Sequence, residues 1–119
     1  MKIAITAKGK TVQDETDPRF GRAAFILIVD TESLVVEAID NSTNINAFKG
    51  AGINAANNIY EKGAEVLLTG YCGPNAFRTL EAAGIKVISD ISGTVEEVIT
   101  RFNKGLLEYS ESANAEGHW

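Results

Sequence analysis

The sequence predicts an α/β fold: a mixed five-stranded sheet of strand order 3-2-1-4-5, strand 2 antiparallel, with about three helices packed on it. Three observations predict it. Short unbroken apolar runs, Ile3-Ala4-Ile5 and Val66-Leu67-Leu68-Thr69, read as buried strands. Two further strand-like runs flank Asp30-Thr31-Glu32-Ser33, a tight hairpin connection. From there strands alternate with helical periodicity, and right-handed crossovers then make the last strands parallel.

Each element has its own signal. After the first strand comes a long polar loop, Lys8 to Arg22, closed by Asp17-Pro18-Arg19-Phe20-Gly21-Arg22; a loop of that length in a small domain is often functional. Ala24 to Val29 is the second strand and Leu34 to Ile39 the third. Asn41-Ser42-Thr43-Asn44 opens another polar loop, ending at Lys49-Gly50-Ala51-Gly52. Ile53, Ala56, Ile59 and Tyr60 then recur at helical spacing, with Gly63 as the stop. The fourth strand runs into Gly70-Tyr71-Cys72-Gly73-Pro74-Asn75. Ala76, Phe77, Leu80 and Ala83 mark a second helix up to Gly84, and Pro74 suits its first turn. Val87-Ile88 is the last strand. Thr94 and Glu97 are spaced as a capping box for a third helix with the stripe Val95, Val98, Ile99 and Phe102. Beyond Leu107 the chain turns small and polar, so residues 108–119 read as a flexible acidic tail. The whole resembles a ribonuclease H-like three-layer arrangement.

Composition narrows the function. The 119 residues are 45% hydrophobic and 23% charged, enough apolar material for one core without a metal or disulfide. The lone cysteine, Cys72, fits a reducing compartment, and no stretch reads as a signal peptide or membrane span, so a cytoplasmic location is expected. A net charge of -5 argues against nucleic acid and membrane surfaces as partners. Catalysis finds little support. The first and fourth strands carry no carboxylate for the two metals of a ribonuclease H-like nuclease. The single histidine, His118, lies in the tail, and no His/Cys cluster has zinc spacing. The chain is expected not to be an enzyme.

Binding is better supported. In an open α/β sheet, ligands sit beyond the carboxyl ends of the parallel strands. Four loops gather there, and three feed helix N-termini, whose unpaired amides and partial positive charge suit an anion. Gly50, Gly52, Gly70, Gly73 and Gly93 allow close approach to backbone, while Arg19, Arg22 and Lys49 add formal charge. Against this, glycines are ordinary turn residues and the cations ordinary surface charge. No standard phosphate motif is present. Cys72, ahead of a helix N-terminus, suggests a stabilised thiolate able to meet a soft metal, or an inert buried hydrophobe.

Three segments in order, Arg19-Phe20-Gly21-Arg22-Ala23, Gly63-Ala64-Glu65-Val66-Leu67-Leu68-Thr69-Gly70 with Gly73-Pro74-Asn75-Ala76, and Ala83-Gly84-Ile85-Lys86-Val87 running into Ser92-Gly93-Thr94-Val95-Glu96-Glu97, resemble the dinitrogenase iron–molybdenum cofactor biosynthesis proteins over residues 1–107. Gly-Tyr-Cys-Gly-Pro-Asn makes the chain most similar to the orange proteins within that group. The resemblance implies a ribonuclease H-like fold and a carrier of an anionic metal–sulfur cluster: a mixed molybdenum–copper sulfide cluster, or an iron–molybdenum cofactor-like one. It places the site at Arg19, Phe20, Gly21, Arg22, Lys49, Gly50, Ala51, Gly52, Tyr71, Cys72, Gly73, Pro74, Asn75, Ser92, Gly93 and Thr94, with Cys72 a candidate metal ligand. Many relatives carry histidine where Arg19 and Lys49 stand, so charge pairing replaces imidazole ligation here. The alternative is a regulatory module docking a partner ATPase, a division-related protein or a cofactor-assembly protein.

Overall fold

The computed structural model describes residues 1–42 and 50–114. Its elements are β1 (Lys2–Ala7), β2 (Phe25–Asp30), β3 (Val36–Asp40), α1 (Ala51–Glu61), β4 (Val66–Leu68), α2 (Pro74–Ala82), β5 (Lys86–Ile88) and α3 (Val95–Asn103). The sheet has the expected order β3-β2-β1-β4-β5. β2 is antiparallel to both neighbours, whereas β1, β4 and β5 are parallel.

β1 is the spine because both its faces are buried. Ile3, Ile5 and Ala7 join Leu27, Val29, Val66, Leu68 and Ile88 against Val95, Val98 and Ile99 of α3. Ala4, Ile26, Ile28, Leu67 and Val87 face the other way, onto Ala55, Ala56 and Ile59 of α1 and Ala76 and Leu80 of α2. The layers are therefore α1 with α2, the sheet, and α3. Burying each large aliphatic contributes about 1.5–3 kcal/mol, which explains why an unbroken apolar run occupies the centre.

Three details differ from the sequence reading. α1 buries Ala51, Gly52, Ala55, Ala56 and Ile59, leaving Ile53 39% and Tyr60 58% exposed. Its inner face is chosen for small size: a Cβ on Gly52 would lie 2.8 Å from the Ala76 Cβ, so α1 and α2 meet almost backbone to backbone. The third strand begins at Val36 rather than Leu34, which has φ +62° in the turn. There the Asp30 carboxylate accepts the Glu32 and Ser33 amides, which hold its carboxyl below the usual range. The second strand begins at Phe25, so Arg22 stands in a turn ahead of it.

Helix stops fall where expected, at Gly63 (φ +82°) and Gly84 (φ +76°). After α3 the chain returns along β5. The Ser110 amide donates to Val87 O at 2.7 Å, and Lys86 Nζ lies 4.9 Å from the Tyr109 ring centroid. Residues 110 and 114 of the expected loose tail are thus hydrogen-bonded to the body of the protein. Among the described residues no helix is long and apolar enough to cross a membrane.

Candidate functional site

β1, β3, β4 and β5 end on one edge of the sheet, where the loops 8–24, 69–73 and 89–94 meet, with Asn41 and Gly50 beside them. The long first loop is stitched down along its length. Thr16 donates from N and Oγ1 to Gly93 O, at 2.9 and 3.0 Å. Pro18 O accepts the Tyr71 amide at 2.6 Å, and Tyr71 O accepts the Phe20 amide at 3.3 Å. Gly70 sits under Pro18, where a Cβ would lie 2.7 Å from the Pro18 Cα. Gly21 likewise lies on the start of α1, its would-be Cβ 2.6 Å from the Gly52 nitrogen. Gly21 and Gly70 are thus small because backbone presses on them, and Gly52 because the Ala76 methyl does, so the space beside Gly52 and Gly70 that the sequence reading left for a ligand is filled by the protein itself.

The three helix N-termini are not equivalent. α3 is fully capped: Thr94 Oγ1 accepts the Glu97 amide, and Glu97 Oε1 accepts the Thr94 amide. The Val95 amide donates to Asp14 O at 3.0 Å and the Glu96 amide to Val12 O at 2.8 Å. Glu96 and Glu97 add negative charge there, and the Thr94 amide holds the Glu97 carboxyl below its ordinary range. Of the Ser92-Gly93-Thr94 segment expected to meet an anion, the Thr94 amide is therefore already engaged, and Ser92 O accepts from Arg101 Nη2. α1 and α2 are the opposite case. Neither has a side-chain cap or an acidic residue in its first turn. Among the described residues the amides of Ala51, Gly52, Asn75 and Ala76 meet no acceptor. The Gly52–Ala76 contact places these two open termini side by side.

The other predicted residues fall around this pair. Arg19 is exposed, its Nε 3.8 Å from Asp17 Oδ1. Phe20 is buried in the α1/α2 core, so it is a wall and not a contact surface. Arg22 is half-buried. Gly50 and Gly73 are the N-caps of α1 and α2, Pro74 opens α2, and Tyr71 is 41% exposed beside them. Lys49 lies outside the described residues, as does His118. The Cys72 thiol is fully buried, with Sγ 3.7 Å from Gly73 O, and burial pushes its pKa up to about 12. It is a protonated, apolar neighbour at neutral pH, as the inert buried hydrophobe of the two sequence readings would be and the stabilised thiolate would not. Among the described residues no three His, Cys, Asp or Glu side chains gather as a metal site.

A family model described as dinitrogenase iron-molybdenum cofactor matches residues 1–105, nearly the whole described chain. The chain belongs to the dinitrogenase iron-molybdenum cofactor family. Among solved structures, the apo form of the orange protein from Desulfovibrio gigas is 45% identical, with 96% of each chain covered and a TM-score of 0.93. A Thermotoga protein provisionally named NifB is 39% identical over 98% of each chain, with a TM-score of 0.83. An uncharacterized protein of Methanocaldococcus jannaschii is 29% identical over 93% of this chain and 92% of that one.

The hydrogen bonds around the site bring out residues that sequence reasoning missed. Asp17 is buried and accepts the Arg19 amide at 3.1 Å and the Ala24 amide at 3.4 Å, shaping the turn that carries both arginines. Asn41, 1% exposed, donates from Nδ2 to Gly21 O and Ala23 O and so fixes the same turn from the β3 side. Thr6 and Thr69 share a buried hydroxyl contact of 2.9 Å at the ends of β1 and β4. The only sequence hint was Asp17-Pro18, a turn-forming pair.

Proposed function

We propose that this chain binds and carries an anionic metal–sulfur cluster, and does not transform it, at the edge where α1 and α2 begin. A mixed molybdenum–copper sulfide cluster is the leading cargo, with an iron–molybdenum species as its nearest variant. The observation that carries this reading is the pair of uncapped, acid-free helix N-termini in contact at Gly52 and Ala76. Two adjoining termini present several amides and about half a positive charge each. The donor chemistry supports a cluster that brings its own sulfides. A bare cation would need protein ligands, and the described residues group none. Membership in the dinitrogenase iron-molybdenum cofactor family, and similarity to the orange protein, supply the metal chemistry.

Arg19, Arg22 and Lys49 are the proposed counter-charges. Asp17 lies beside Arg19 and partly offsets its charge. Gly50, Ala51, Gly73, Pro74 and Asn75 offer backbone, Tyr71 a rim, and Cys72 an apolar wall. The test is to incubate the protein with tetrathiomolybdate and copper, remove excess reagent, and record the visible spectrum and metal content. A retained, coloured, stoichiometric species is expected. Colourless, metal-free protein overturns the carrier reading and favours a module that docks a partner ATPase or assembly protein.

A further inference from the structure

The segment 70–72, which delivers the chain into α2, is gripped from both sides like the middle strand of a small sheet. On one side Tyr71 exchanges backbone hydrogen bonds with Pro18 and Phe20. On the other stands a single residue from far along the chain. Asn114 Oδ1 accepts the Cys72 amide at 2.8 Å, and the Asn114 amide donates to Cys72 O at 3.2 Å. Its Nδ2 donates to Gly70 O at 2.9 Å and to Asp90 Oδ1 at 3.3 Å. Gly70 O also accepts the Asp90 amide at 2.9 Å, so one side chain links two of the edge loops. Asn114 is itself exposed, and no apolar burial explains its place.

We propose that Asn114 is a positioning residue for the cargo site: it clamps Gly70–Cys72 and thereby sets the first turn of α2 against that of α1. The proposal rests on the carrier reading. Anion binding by backbone amides depends on their direction, and Cys72 is two residues before the first helical position of α2. Without the clamp the segment keeps its Pro18–Phe20 bonds and the fold keeps its core, but the amides of Asn75 and Ala76 lose a fixed aim.

The test compares wild type, Asn114→Ala and Ser110→Ala. Ser110 anchors the same tail through Oγ to the Ser89 amide at 3.1 Å and touches no part of 70–72. Two quantities are measured: amide exchange at Cys72 in cluster-free protein, and the rate of colour loss from protein loaded with tetrathiomolybdate and copper. In Asn114→Ala the Cys72 amide should exchange on the order of tenfold faster, the loss of about one hydrogen bond. Cluster loss should be several-fold faster, with the melting temperature nearly unchanged. Ser110→Ala should resemble wild type in both.

An unchanged Cys72 amide overturns the clamp. A faster amide with unchanged cluster loss overturns the positioning role, and an equal effect of Ser110→Ala reduces it to general loosening of the tail. Wild-type protein that takes up no cluster fails the carrier reading and the positioning role with it, while the amide data still decide whether the clamp exists.

Discussion

The Cys72 thiol sits in the α1/α2 core with a pKa near 12, and two outcomes follow at the scale of the residue. The first concerns pH. The unfolded thiol ionises near the ordinary 9.0, while the folded one holds its proton up to about 12. Below the lower value both states keep the proton, so the thiol adds no pH dependence to stability. Between the two values the unfolded state loses protons that the folded state keeps, so stability falls as pH rises, by at most about 1.4 kcal/mol per unit. Melting curves between these limits should therefore decline more steeply for wild type than for Cys72→Ala. Identical slopes would mean the thiol is not buried as described. The second concerns ligation: Cys72→Ala should keep the visible spectrum of the loaded protein, and a lost or shifted band would make the sulfur a ligand. The sequence showed that a cysteine precedes a helix but not which way its side chain points. For the same reason Asp17, Asn41 and Asn114 were illegible. Each acts by bonding backbone that only the folded chain brings near.

Helices were legible in type and extent, yet the α1 stripe was only half right: Ala56 and Ile59 face inward, Ile53 and Tyr60 do not. Periodicity weighs residues by hydrophobicity, so Ile53 and Tyr60 drew the stripe toward themselves. Packing against α2 instead selected Gly52, because only a small residue allows that approach. This makes Gly52→Ala a sharp test at the scale of the element. In a solvent-exposed helix the change would stabilise by up to about 1 kcal/mol. Here the new methyl would stand 2.8 Å from the Ala76 Cβ, and overpacking of this kind typically costs about 1–3 kcal/mol. The clash should win: Gly52→Ala should melt lower and release cluster faster, and adding Ala76→Gly should recover part of both. A variant as stable as wild type would mean α1 and α2 separate easily. The capping box of α3, by contrast, was fully legible, since Thr94 and Glu97 are local to one another. Its consequence was not. Whether a helix terminus is open depends on Val12 and Asp14, carbonyls from more than 80 residues earlier in the chain.

For the molecule as a whole, strand order followed from connection rules alone, because a hairpin and two right-handed crossovers leave few alternatives. The long-range field is where composition misleads. The protein carries a net charge of -5, so an anion is repelled at a distance and must be held by charge and dipoles close at hand. Arg22→Glu should therefore weaken cluster retention most at low ionic strength. Near 0.1 M salt, with a screening length of about 10 Å, the gap from wild type should narrow. Equal retention at low salt would remove Arg22 from the site. Melting curves of the same variant separate this from damage to the half-buried turn.

The stitching of the first loop also sets a timetable. Synthesis delivers residues 8–22 early, but Thr16 waits for Gly93, 77 positions later, and Cys72 waits for Asn114, 42 positions later. The central strand β1 waits in the same way for β4, pairing Ile3 with Val66. While the chain is still being made, the sheet edge is therefore an unfinished rim, with its amides exposed to water rather than aimed. A ligand that needs that rim meets it only once Asn114 has been made and has folded back onto Cys72. Loading then waits on this late segment, however early the first loop is synthesised.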